Sequence, residues 1–85
     1  MSHAAEVRAY CARHYIQPAR VAGKNEISIR AGDVHEAMGY KNRMPLVCSA
    51  IGATVFSETN NVRRVGVEGP LNGANTVFRF QLNAL

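Results

Sequence analysis

The chain has no tryptophan, two cysteines and three prolines among its 85 residues, and its six acidic side chains are outnumbered by ten basic ones. Cys11 and Cys48 are too few and too widely spaced for a disulfide scaffold, and two small apolar side chains in the core are the expected reading. No run approaches the roughly 18 consecutive apolar residues of a membrane-spanning helix. Hydrophobic residues at 47% against 19% charged, with no low-complexity run, exclude a disordered chain. The first residues lack the basic start, apolar block and small-residue cleavage site of a secretion signal, so a cytoplasmic address is expected. The length suits one small domain, residues 1–85, stable with little to spare.

Catalytic patterns are missing as well. Asp33 and Glu36 are accounted for by helix capping, there is no glycine-rich phosphate loop, and no Ser-His-Asp or Cys-His assembly is suggested. Neither an enzyme nor a cofactor is expected. Cys11-x-x-His14 puts two metal-ligand types on one helical face, with His35 and Cys48 elsewhere, but the spacing matches none of the usual paired-ligand patterns. No metal is expected.

What the chain does have is base. A net charge of +4 and a pI near 9.6 suit an anionic partner. Arg20, Lys24, Arg30, Lys41, Arg43, Arg63, Arg64 and Arg79 fall mostly in predicted loops, helix starts and strand faces, where they either converge on one surface or serve as scattered solubilising charge.

Hydropathy patterning then divides the chain. Residues 4–17 place Val7, Cys11 and Tyr15 on one face of an amphipathic helix that Ser2 can cap; Pro18 biases Gln17 out of helix or opens a further turn over residues 19–22. Ile27 and Ile29 alternate with Ser28 and Arg30 in a short strand ended by Ala31 and Gly32. Asp33 and Glu36 form a capping box for a second helix carrying Val34, Ala37 and Met38, with Gly39 as its left-handed closing residue. Asn42 can cap a third helix with Pro45 in its first turn and a stripe of Val47, Ile51 and Val55, widened by Leu46, Ala50 and Phe56. Gly52 weakens its last turn, and residues 57–61 read as a polar connection. Val65 and Val67, then GPLNGAN, then Phe78, Phe80 and Leu82 read as a β-hairpin with one buried face, to which the first strand adds as a third.

The order is α-β-α-α-β-β: an α+β fold of three helices with a small three-stranded antiparallel sheet. Two helices separated by a short turn containing Gly39 carry the helix-turn-helix signature, so the chain resembles winged helix-turn-helix domains from Ala4 to Leu82. NRMPLVCSA followed by the GP…GAN loop resembles small prokaryotic winged-helix domains, some of which accompany restriction enzymes.

The resemblance implies a small protein binding double-stranded DNA, as a transcriptional regulator or the targeting module of a defence system, with its third helix in the major groove. Arg43 then suits guanine O6 and N7, Asn42 suits adenine unless it is the cap, Lys41 suits a phosphate, and Ser49 is the next outward hydroxyl. Beyond these, the helix offers mainly Pro45, Cys48 and Gly52. Arg63 and Arg64 would meet the backbone at the hairpin start. Asn72 and Asn75 in the wing either bond phosphate or a minor-groove edge, or supply positive φ to a tight loop. Tight specific binding would call for a homodimer on a two-fold site, with the first helix and residues 80–85 as candidate surfaces, although core packing accounts for their apolar residues equally well. The alternative is a winged-helix module that binds protein, suited by the apolar third helix and neutral wing. RNA binding lacks an evident aromatic stacking platform.

Overall fold

The first helix runs past Pro18 by changing pitch. A computed structural model describes residues 2–70 and 72–82. In it α1 (His3–Cys11) widens into a π-helical stretch (Ala12–Ile16) and resumes as α2 (Gln17–Val21), with helical backbone through both junctions. In a regular helix the Pro18 ring would strike the His14 carbonyl and leave it without a donor. The wider turn accommodates that clash, and the Gln17 amide donates five residues back to Ala12. The extra residue also rotates the buried face: Ile16, 1% exposed, follows Val7 and Cys11 into the core where the regular spacing expects Tyr15, which is half-buried. Ser2 caps the start as expected, its Oγ accepting from the Ala5 amide at 3.1 Å.

Strand β1 (Glu26–Arg30) turns Ile27 and Ile29 inward and pairs antiparallel with β3 (Val77–Gln81), Ile27 opposite Phe80 and Ile29 opposite Phe78. Strand β2 (Arg63–Glu68) flanks β3 on its other side, giving the order β1-β3-β2. The hairpin is less two-sided than the alternation of β2 suggests. A register shift between Arg64 and Gly66 leaves Val65 unpaired, and Val65 and Val67 are 38% and 43% exposed. The buried face comes instead from Phe78, Phe80 and Leu82, with Val62 just before β2.

Helix α3 (Ala31–Ala37) corrects the expected capping box. It begins directly at the end of β1, with Arg30 at the N-cap position and Asp33 inside the first turn. The amides of Ala31 and Gly32 donate to the carbonyls of Thr76 and Ala74, each at 2.9 Å, so the loop between β2 and β3 satisfies this helix start. The Asp33 carboxylate is held by Arg30 at 2.7 Å. The other end behaves as expected: Gly39 has φ +72°, its amide donates to Glu36, and the Tyr40 amide donates to His35.

The expected third helix is two helices. α4 (Met44–Gly52) stops at Ala53, whose extended backbone (ψ 141°) redirects the chain into α5 (Thr54–Asn60). Val47, Cys48, Ala50 and Ile51 of α4 are buried, and α5 inserts Phe56, whereas Val55 is 46% exposed. Residues 57–60, expected as a connection, complete α5, which Asn61 closes with φ +54°. Arg20 reaches from α2 to donate to the carbonyls of Asn60 and Asn61 at 2.5 and 3.2 Å.

The fold is α+β; the described residues form four helices, the first counted through its π stretch, and a three-stranded antiparallel sheet. Phe56 and Phe80 meet edge-on at 5.3 Å in the centre of the core, both fully buried. Phe80 and Leu82 belong to this core, so neither is available as a dimer surface; residues 83–85 lie outside the described residues. The apolar side of the first helix is likewise used internally, through Val7, Cys11, Ile16 and Ala19. Among the described residues, no helix is long and apolar enough to cross a membrane.

Two measurements follow from this packing. A Cβ on Gly32 would lie 2.7 Å from the Ala74 carbonyl oxygen. Gly32→Ala, a change that in an open helix gains up to about 1 kcal/mol, is expected to lose about 1–3 kcal/mol in urea unfolding; an increase in stability would contradict the close approach. Burial pushes the Cys11 thiol from 9.0 up to about 12. The folded state therefore holds this proton more tightly than the unfolded chain, so the contribution is whole below about pH 9 and declines as pH rises toward about 12. The stability difference between the parent and Cys11→Ala should narrow between about pH 9 and 11, and a pH-independent difference would contradict the burial.

Candidate nucleic-acid interface

The turn from α3 into α4 is built from two left-handed residues and one imidazole. Gly39 ends α3, and Asn42 adopts φ +54° within the turn, so Asn42 is a turn residue and not the expected cap. Arg43 occupies the N-cap position without a side-chain cap bond, and its own amide donates to His35 Nε2 at 3.1 Å. Pro45 sits in the first turn of α4 as expected, where its missing amide costs nothing. Lys41, Asn42 and Arg43 are all exposed. Among the described residues, no side-chain hydrogen bond or ion pair engages Lys41 or Arg43.

Farther along α4, Ser49 is exposed, but Cys48, expected outward, is 5% exposed and turned toward the β2–β3 loop, its Sγ 3.9 Å from the Gly73 carbonyl. Burial raises its thiol pKa, and a hydrogen bond with Thr76 partly offsets this. Between α4 and the hairpin lies an open groove of about 940 Å³, walled by Pro45, Ser49, Gly52, Val67, Asn72 and Phe78. A Cβ on Gly52 would come within 3.2 Å of both the Phe78 ring and the Arg64 guanidinium, a tight approach along this wall.

The remaining sequence-derived candidates are not gathered at this turn. Arg63 and Arg64 are adjacent in sequence but lie on opposite faces of β2, paired with Gln81 and Phe80 of β3 respectively. Arg63 donates to Gln81 Oε1 at 2.9 Å on the outer face. Arg64 donates to the Gly52 carbonyl at 3.1 Å, at the C-terminal end of α4 where a cation is favoured. Asn75 Oδ1 accepts from Arg30 at 2.7 Å, and the Thr76 hydroxyl bonds to Pro70 and accepts from the Gly73 amide, so the loop is tied to the body. Asn72 is exposed with φ +54°, the positive-φ role anticipated for it.

Comparison with family models, curated proteins and solved structures finds no match. The candidate interface therefore rests on geometry. Of the eight basic residues expected to converge, Arg20, Arg30, Arg63, Arg64 and Arg79 are each engaged internally, Arg79 by Glu68 at 3.0 Å and Glu26 at 3.5 Å. The other three have no side-chain partner among the described residues: Lys24 is exposed after α2, away from this turn, and Lys41 and Arg43 lie together at the entrance to α4. Among the described residues, no group of three or more His, Cys, Asp or Glu side chains is placed to hold a metal. Cys11 is fully buried, and His14 stacks on Tyr10 at 4.2 Å.

His35, which the sequence suggests only as a remote metal ligand, organises the turn. Gly39 is the signal that points to this position: closing α3 there brings the side chain four residues earlier beneath the chain that follows.

Proposed function

We propose that the chain is a small DNA-binding protein of winged helix-turn-helix type, with α3 and α4 as the motif and the β2–β3 hairpin as the wing. The observation that carries this reading is the pair of exposed cations, Lys41 and Arg43, side by side on the turn that leads into α4, whereas Arg64 at the other end of that helix is held by the Gly52 carbonyl. Their position is where such a motif presents its first contacts to base edges and phosphates. The element order and the β1-β3-β2 sheet support the same reading; α5 is an additional short helix. Arg43 is assigned to a guanine edge, Lys41 to a phosphate, and Asn42 and Ser49 to the flanking contacts. Arg64 and Asn75 act first as internal struts, Arg63 is tied to the outer face of the sheet, and Asn72 borders the groove. As a transcriptional regulator or targeting module, the protein would bind tightly as a homodimer on a two-fold site.

A second reading, a module that docks protein, is favoured by one observation: apolar walls dominate the groove beside α4. Anisotropy of a labelled duplex at two salt concentrations separates the two. DNA binding gives micromolar or tighter affinity at low salt, and Lys41→Ala with Arg43→Ala reduces the salt slope by about 0.9 for each phosphate that the removed cations had neutralised. Arg43→Ala alone costs about 1–3 kcal/mol on its preferred sequence if it reads guanine. Absence of salt-dependent binding, or variants that titrate like the parent, would refute the DNA reading.

A further inference from the structure

We infer that His35 is the positioning residue for Arg43, and that its neutral imidazole holds the α3–α4 turn in the shape that presents Lys41 and Arg43. The effect on DNA rests on the function proposed above; the hold on the turn does not.

The starting point is what α4 lacks. A helix start often satisfies the N-cap amide with a Glu or Gln at the third helical position. Here that position is Leu46, and Arg43 itself makes no side-chain cap bond. The missing acceptor comes from the preceding helix. His35 grips the turn at both ends: its carbonyl accepts from the Tyr40 amide at 3.1 Å, and its Nε2 accepts from the Arg43 amide at 3.1 Å. The ring is half-buried and lies edge-on to Tyr40 at 6.1 Å, and Tyr40 in turn meets His3 of α1 edge-on at 6.0 Å. The turn thus holds the imidazole through Arg43 and Tyr40, and α1 backs Tyr40 through His3.

An imidazole nitrogen accepts only through its lone pair, so the proton of the neutral ring must sit on Nδ1. A proton added at Nε2 would face the Arg43 N–H donor to donor, and would set a positive charge at the positive end of α4. The titratable and charged groups of the neighbouring elements lie on the turn, α1, α3 and α4. The turn contributes Lys41, Arg43 and the Tyr40 phenol. From α1 come His3 and Glu6, 3.7 Å apart, and α3 adds Glu36 and Asp33, the latter already paired with Arg30. Within α4 the ionisable side chain is the buried Cys48 thiol.

Glutamine reaches the same point with an oxygen acceptor and does not titrate, so His35→Gln separates holding the turn from carrying the charge. The test follows the amide signals of ¹⁵N-labelled protein between pH 8 and 5.5, beside duplex titrations of the parent and both variants. In the parent, the Arg43 amide should lose its downfield shift in step with protonation of the His35 ring, and duplex affinity should weaken by about three- to tenfold, the range that loss of one hydrogen bond spans. His35→Gln should keep the Arg43 shift at both pH values and flatten the affinity profile. His35→Leu should lack the shift even at pH 8. If it does not fold, the comparison of parent with His35→Gln decides alone. An Arg43 amide indifferent to His35 protonation, or a His35→Gln profile like the parent's, overturns the inference. A titrating Arg43 amide in a protein that binds no duplex at any pH upholds the positioning role and rejects the DNA reading instead.

Discussion

The seating of α3 on the β2–β3 loop sets the position of everything at the candidate face. Two backbone hydrogen bonds, from Ala31 to Thr76 and from Gly32 to Ala74, join the start of this helix to a loop more than forty residues later. They satisfy amides that would otherwise need a side-chain cap, and they require Gly32, since a Cβ has no room beside the Ala74 carbonyl. Arg30 reinforces the joint by bridging Asp33 and Asn75. With α3 fixed in this way, Gly39 and Asn42 determine the turn, and the turn determines where α4 begins.

Much of this is legible in the sequence, and the failures share a cause. The alternation of Ile27 and Ile29, the left-handed Gly39 and the Pro45 start are local signals that tertiary structure leaves intact, and the addition of β1 to the hairpin follows because so short a strand needs partners. Asp33 and Glu36 match a capping box just as well, yet the cap comes from Ala74 and Thr76, which no local window includes. Pro18 marks a disturbance, but its consequence, a π stretch that trades Tyr15 for Ile16 in the core, depends on packing against the rest of the chain. The end of α4 at Ala53 carries only the weak local signal of Gly52. By contrast, the separation of Arg63 from Arg64 follows from the two-residue period of a strand and is available from the sequence.

The candidate interface is visible in the sequence as residue types and hidden as allegiances. A surplus of base suggests a broad cationic surface, but most arginines bind the protein to itself: Arg20 closes α5, Arg64 closes α4, and Arg79 bridges β1 and β2 through Glu26 and Glu68. Exposed ion pairs such as those of Arg79 contribute about 0–1 kcal/mol each, so their effect lies less in stability than in which charges they occupy. Net charge alone therefore says little about where an anion would bind. Lys41 and Arg43 stand out because the turn carrying them has no acid to pair with and is held by His35, a neutral acceptor, through the backbone of Arg43.

The central claim is that the α3–α4 turn and the exposed side of α4 form the face that meets DNA. Mapping amide chemical-shift changes in ¹⁵N-labelled protein on adding a short mixed-sequence duplex at low salt tests it most directly. The account expects the largest changes over Lys41, Asn42, Arg43 and Ser49, fading at higher salt, with the outer side of the sheet at Arg63, Arg79 and Gln81 unmoved. Changes centred on that sheet face, or no changes at all, would contradict it.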